Sequence, residues 1–209
     1  MTESEKSEQS TVNSFYSPKH NKNKNISSST IFSSALCEVK SENPTLKIIA
    51  DLLTDICEEN KARADQKSSL PNIFYSKKIP GISIGDYLSR LQKYSKINES
   101  TIILILIYID RICNKNQIKL SYYNIHKIIL ASFVIAIKYN EDDDYPSKFY
   151  ASLGGVPKEK IHLLEYEFLA LIDFNLYVDI ELFNKYNDYI TNFENDEDEE
   201  DSGNEEENL

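Results

Sequence analysis

From Pro44 onward, apolar residues recur at three- and four-residue spacing, the pattern of helices that bury one face. Leu46, Ile49, Leu52, Leu53, Ile56 and Cys57 form the first stripe, with Pro44 in its opening turn, where a missing N–H costs nothing. This helix is expected to end in the polar run 58–64. Residues 65–82 carry Pro71, Pro80 and Gly81 and predict a connection containing the apolar patch Ile73-Phe74-Tyr75. A second helix follows Ser83, whose hydroxyl caps it with Asp86 three positions on, an approximate capping box. Ile84, Tyr87, Leu88 and Leu91 are its buried stripe.

The run Ile102 to Ile109 is ambiguous on local grounds, because its β-branched residues favour a strand. Context makes it a helix. Asn98 suits an N-cap, Glu99 stands in the first turn, and apolar positions continue through Ile112 and Cys113 without Gly or Pro. That span is too long for a typical strand. Ser121 is expected to cap the next helix, in which Ile125, Ile128 and Ile129 lead into Leu130 to Ile137. A helix apolar on all sides belongs at the centre of a domain.

The acidic run Glu141-Asp142-Asp143-Asp144 before Pro146 reads as a solvated turn, since it lacks the spacing and glycine of a calcium loop. A short helix then runs to Leu153 and stops at Gly154-Gly155. Another starts at Pro157 with Ile161, Leu164, Phe168, Leu171 and Ile172 on one face, and a last one, capped by Asp179, carries Leu182, Phe183, Tyr186 and Tyr189. The fold class is therefore all-α: five helices over 82–178, flanked by a helix and connection at 44–81 and a helix at 179–193. Residues 1–43, with 11 Ser and three Thr, and the acidic tail 194–209 are expected to be disordered. Ile31 to Cys37 is the one apolar stretch of the N-terminal segment, and Ser17-Pro18 is read as an ordinary turn dipeptide.

Charge changes the picture mainly by where it sits. The net charge is −11, but residues 194–209 hold ten carboxylates and no Lys or Arg, which leaves the rest of the chain near neutral. A nucleic-acid binder needs a basic surface to release phosphate counterions, and a balanced body offers none. The longest apolar run is eight residues, too short to span a bilayer, and the opening MTESEKSEQS has no secretory pattern. Three widely spaced cysteines, Cys37, Cys57 and Cys113, predict reduced thiols in the cytoplasm or nucleus. Abundant Ile, Lys, Asn and Tyr beside only eight Ala read as the bias of an AT-rich coding genome.

No catalytic pattern stands out. His20, His126 and His162 are not at metal-ligand spacing, no phosphate-cradling glycine loop or GxSxG elbow occurs, and Cys113 lies in an apolar stripe as a core thiol. Two charged residues are conspicuous because of their neighbours. Lys138 follows ten nearly unbroken apolar residues at the end of a buried helix, where a cation suits the helix dipole. Glu165 stands between Leu163-Leu164 and Phe168-Leu169.

Five segments then become recognisable in order: ISIGDYLSRL from Ile82 to Leu91, Tyr108 to Arg111, Ala136 to Tyr139, Phe149 to Val156, and Leu164 to Leu176. Together they resemble a cyclin box, specifically that of the P-type, phosphate-pathway cyclins, over about half the chain. The resemblance implies a five-helix fold that binds a cyclin-dependent protein kinase, holds its αC helix inward and contributes no catalytic group. It marks Lys138 and Glu165 as gripping backbone groups beside that helix, and donors-only Lys with acceptor-only Glu fits such a grip. It marks Ile135, Tyr139, Leu169, Phe174 and Leu176 as the apolar surface on which the helix packs, and Asp110 as a structural residue. No cofactor, nucleic acid, membrane or small-molecule substrate is expected.

The chain departs from the family at a few places. Cell-cycle members carry an arginine that pairs with the aspartate where Gly81 stands here, and Arg90 lies elsewhere on the helix. P-type members usually have Asn where His162 and Ser147 stand. The alternative within the same fold is a transcription scaffold that activates no kinase, which usually has two boxes and a basic surface. The alternative outside it is a small helical hydrolase.

Overall fold

The computed structural model describes residues 43–61, 70–142 and 144–202. Among these the chain forms seven α-helices and no strand. We label them α1 (Pro44–Lys61), α2 (Ile84–Ser95), α3 (Glu99–Asn116), α4 (Ile125–Asn140), α5 (Ser147–Gly154), α6 (Lys158–Leu171) and α7 (Ile180–Ser202). Five helices with one flanking helix on each side is the architecture that the apolar spacing predicts. The Ser-rich segment, the Ile31–Cys37 stretch, Ser17 and residues 203–209 lie outside the described residues.

Helices α3 and α4 occupy the centre. Every residue from Thr101 to Ile109 is buried, as is every residue from Ile125 to Ile137 except Lys127. Burial on all sides overrides the strand preference of the isoleucines, because the transfer of so much apolar surface outweighs a few tenths of a kcal/mol per residue of propensity. A buried polar link joins the pair where the Ser132 hydroxyl donates to the Ile105 carbonyl at 2.8 Å.

Helix α1, which sequence places outside the box, is packed into the same core through Ile49, Leu53 and Cys57. Thr45 donates to Glu99 at 2.8 Å, and Asn60 donates to the Leu120 carbonyl at 3.1 Å. The patch after it becomes a single 3₁₀ turn, Asn72–Phe74, with Phe74 buried against Phe168 at a ring separation of 6.5 Å. Lys127 reaches out of α4 to hold that turn, donating to the carbonyls of Ile73 and Tyr75 at 2.9 and 2.7 Å.

Helix ends show where side-chain chemistry was legible. Ser83 accepts from the Asp86 N–H at 3.0 Å, as expected, but its hydroxyl donates to the Asp86 carboxylate, so the box closes through side chains. Asn98 caps α3 differently from the expected way: its side chain makes no cap bond, and both its N–H groups donate to the Glu141 carboxylate, at 3.0 and 2.7 Å. The acidic run at 141–144 is thus only partly a solvated turn. Glu141 places a negative charge at the positive end of α3, and Asp144 accepts from the Tyr150 hydroxyl at 2.8 Å.

Ser121 does not cap α4 directly. It heads a turn whose carbonyl accepts from Asn124 and Ile125, and Asn124 is the N-cap residue. Gly155, at φ +66°, ends α5 in the left-handed conformation that glycine adopts without a Cβ clash. The last helix continues to Ser202, beyond the boundary at 193 that the first carboxylates suggested.

Candidate functional site

The end of α4, the middle of α6 and the loop between α6 and α7 meet on one face. Lys138, in the last turn of α4, places Nζ 2.7 and 2.9 Å from the two carboxylate oxygens of Glu165 on α6. The two side chains are 28% and 17% exposed, so the pair lies at the surface with its stems covered. His162, one turn earlier on α6, sits with Nδ1 3.7 Å from Glu165, and its other ring nitrogen is 3.0 Å from the Ser147 hydroxyl at the start of α5. The two departures noted in the sequence, Ser147 and His162, therefore share one side of the same carboxylate.

Around this pair the apolar residues divide into two kinds. Tyr139 and Phe174 project into solvent at 53% and 60% exposure. Leu169 and Leu176 are half-buried and pack against the core, while Ile135 is buried and backs the face from inside.

The loop that carries Phe174 is held by strain and by outside supports. Helix α6 ends in two consecutive non-glycine residues of positive φ, Asp173 at 53° and Phe174 at 56°. Such conformations cost about 1–2 kcal/mol each for residues with a Cβ and persist only where the surroundings impose them. The Phe174 N–H reaches back to the Leu169 carbonyl at 2.8 Å, which closes the turn. Asp173 pairs with Lys115 of α3.

Further along, Arg111 donates to the carbonyls of Asn175 and Tyr177, at 2.5 and 3.2 Å, and the Tyr108 hydroxyl donates to the Leu176 carbonyl at 3.0 Å. Helix α3 thereby fixes the loop's backbone from behind while Phe174 and Tyr177 face outward. Arg111 was overlooked in the sequence, where it is only the last letter of a recognisable motif. An arginine directly after a run of core residues is the signal that could have found it.

Asp110 lies away from this face. Its carboxylate accepts from the Tyr186 hydroxyl of α7 and from Asn114, both at 2.7 Å, which ties α3 to the last helix. Burial, and then Asp110 itself, push the Tyr186 phenol well above its ordinary pKa. Arg90 donates to the Ser152 carbonyl at 3.2 Å.

With the geometry in place, comparison with known proteins gives a consistent result. The family model described as Cyclin matches residues 10–176, a longer span at the N-terminal side than the 82–178 that the motifs delimit, and one that takes in α1. Cyclin-U2-1 of Arabidopsis thaliana is 32% identical over 152 residues, covering 69% of this chain and 68% of the relative. PHO85 cyclin-7 of Saccharomyces cerevisiae is 30% identical over 160 residues, or 70% of this chain and 56% of the relative. Cyclin-P3-1 of Oryza sativa subsp. japonica is 31% identical over 132 residues, 63% of this chain and 54% of the relative. The chain spans little more than half the length of the last two. The motif-bearing segments, the helical architecture and the family match agree, and the chain belongs to the cyclin family.

Proposed function

We propose that the chain is a non-catalytic regulatory subunit that binds and activates a cyclin-dependent protein kinase by receiving its αC helix on the face around Lys138 and Glu165. The observation that carries this is the paired Lys138 and Glu165 beside exposed Tyr139 and Phe174, on a loop held in strained backbone geometry. Exposed aromatics around a charged pair are the composition of a binding hot spot. Two relatives, one named PHO85 cyclin-7 and one named a PHO85 cyclin-like protein, support a kinase as the partner class.

In this reading Lys138 donates to backbone carbonyls of the kinase and Glu165 accepts from its backbone N–H groups, so each exchanges part of its mutual bond for the partner. The helix then packs on Tyr139, Leu169, Phe174 and Leu176, with Ile135 beneath. Holding αC inward sets the kinase's own Glu against its ATP-binding Lys. Every catalytic group stays on the kinase.

The test is titration of purified PHO85 kinase with the full chain, following binding and phosphorylation of a peptide substrate. Saturable binding with a rise in activity is expected, lost in the Lys138→Ala, Glu165→Ala double variant. A double variant that binds and activates like the original chain would overturn the proposal.

A further inference from the structure

Next to the proposed kinase face lies a groove of about 330 Å³ between the end of α4, the loop after α6 and the start of α7. Leu104, Tyr139, Leu176, Val178, Ile180 and Phe183 line it, and none of its described lining residues is charged. We infer that this groove is a second contact for the same kinase lobe, taking one bulky apolar side chain that flanks the docked αC helix. The inference rests on the kinase reading above and extends it to residues which that reading leaves unused.

Three observations carry it. The groove is continuous with the face, because Tyr139 and Leu176 belong to both. Its outer edge is formed by Tyr177 and Ile180, which at 71% and 68% are the most exposed large apolar side chains among the described residues. Neighbouring exposed apolar groups of this size mark a surface that gains by being covered.

The third observation is rigidity. The backbone beneath the edge is fixed through Arg111 and Tyr108, and Asp179 caps α7 by accepting from the Leu182 N–H at 2.8 Å. A groove already ordered gives up little conformational freedom when filled.

The lining also selects the occupant. A charged side chain entering this site would lose its hydration without gaining a counter-charge, whereas an aliphatic or aromatic one loses only its exposure to water. A second copy of this chain seated here would cover Tyr139 and Leu176 and so exclude the kinase, which makes the kinase and a self-dimer competing occupants.

The test compares the full chain with its Tyr177→Ser, Ile180→Ser double variant by binding kinetics against purified PHO85 kinase. We expect affinity to fall by about tenfold or more, mainly through faster dissociation. Because both positions are exposed, thermal unfolding should be unchanged, and Ile180→Leu should keep the original affinity. Lys138→Ala in the same assay reports on the face itself. If Lys138→Ala abolishes binding while the double variant dissociates like the original chain, the groove inference fails and the kinase reading stands. If the original chain does not bind, both fail. A free chain that is dimeric by light scattering and becomes monomeric in the double variant assigns the groove to self-association and overturns the inference.

Discussion

The ammonium of Lys138 lies within 3 Å of both carboxylate oxygens of Glu165, so two helices that are separate in sequence share one charged clamp before any partner arrives. Its strength within the free protein is modest, since partly exposed ion pairs contribute about 0–1 kcal/mol. In a desolvated interface the same groups matter more. Replacing either with Ala is expected to cost on the order of 2 kcal/mol or more in kinase binding, while urea unfolding of the free chain shifts by about 1 kcal/mol or less. A loss of stability as large as the loss of binding would show the pair to be a folding element instead.

Gly154 sits where α5 crosses α4. A Cβ added there would land inside the methyl groups of Leu130, which is itself buried. Gly154→Ala should therefore destabilise the fold by about 1–3 kcal/mol, the usual range for overpacking. A double-mutant cycle with Leu130→Ala checks the mechanism. The Leu130 truncation should cost less in the Gly154→Ala background than alone, because it removes the clash.

Tyr186 tests the attachment of the last helix. Tyr186→Phe removes the donor to Asp110 but leaves the one from Asn114, so the carboxylate keeps a partner. A cost of about 1.5–3 kcal/mol in thermal or urea unfolding is expected, the range for a hydrogen bond to a charged group. The bond also has a pH signature. The phenol's folded pKa is raised above its ordinary value of 10, so its contribution is complete below pH 10 and is lost as the pH rises beyond it. Tyr186→Phe should flatten part of the alkaline loss of stability.

His126 predicts an acid effect of the opposite sense. Its ring is buried on α4 beside Tyr87, Nε2 donates to the Ile82 carbonyl at 3.0 Å, and Nδ1 has no hydrogen-bond partner among the described residues. Burial lowers its pKa below the usual 6.5, against a smaller raising effect of the carbonyl. The unfolded chain thus takes up the proton first. Stability should fall as the pH drops below 6.5 toward the lowered folded value. Unfolding midpoints measured between pH 7.5 and 5 should decline less steeply in His126→Gln.

Cys57 and Cys113 are both pushed up to about 12 by burial. At pH 8 the thiolate is then roughly one part in 10⁴ of each. In a Cys37→Ser background, thiol labelling at that pH should be slow in native buffer and rapid in denaturant. Fast native labelling of either cysteine would show that its helix opens locally.

Much of the fold was legible because its helices announce themselves by spacing and by Pro, Ser and Gly at their ends. Ile102 to Ile109 needed context, since β-branched residues become helical only when both faces of the helix are buried. The cap of α3 was legible only in its position: Asn98 is the N-cap residue, but its acceptor is Glu141, 43 residues away, and only the folded chain brings them together. The same distance hides the site's supports. Lys138 and Glu165 stood out locally as charges in apolar company. Nothing near Phe174 in sequence says that Arg111, or a pair of residues forced to positive φ, would shape the loop that presents it.

Arg111 holds that loop through main-chain oxygens alone, which separates its shape from its lettering. The outward side chains at 174 and 177 can be exchanged without altering what the guanidinium grips. A scaffold of this kind lets a lineage change which partner it serves by rewriting a few surface letters, while the conformation that displays them is inherited from an arginine on a helix behind the loop.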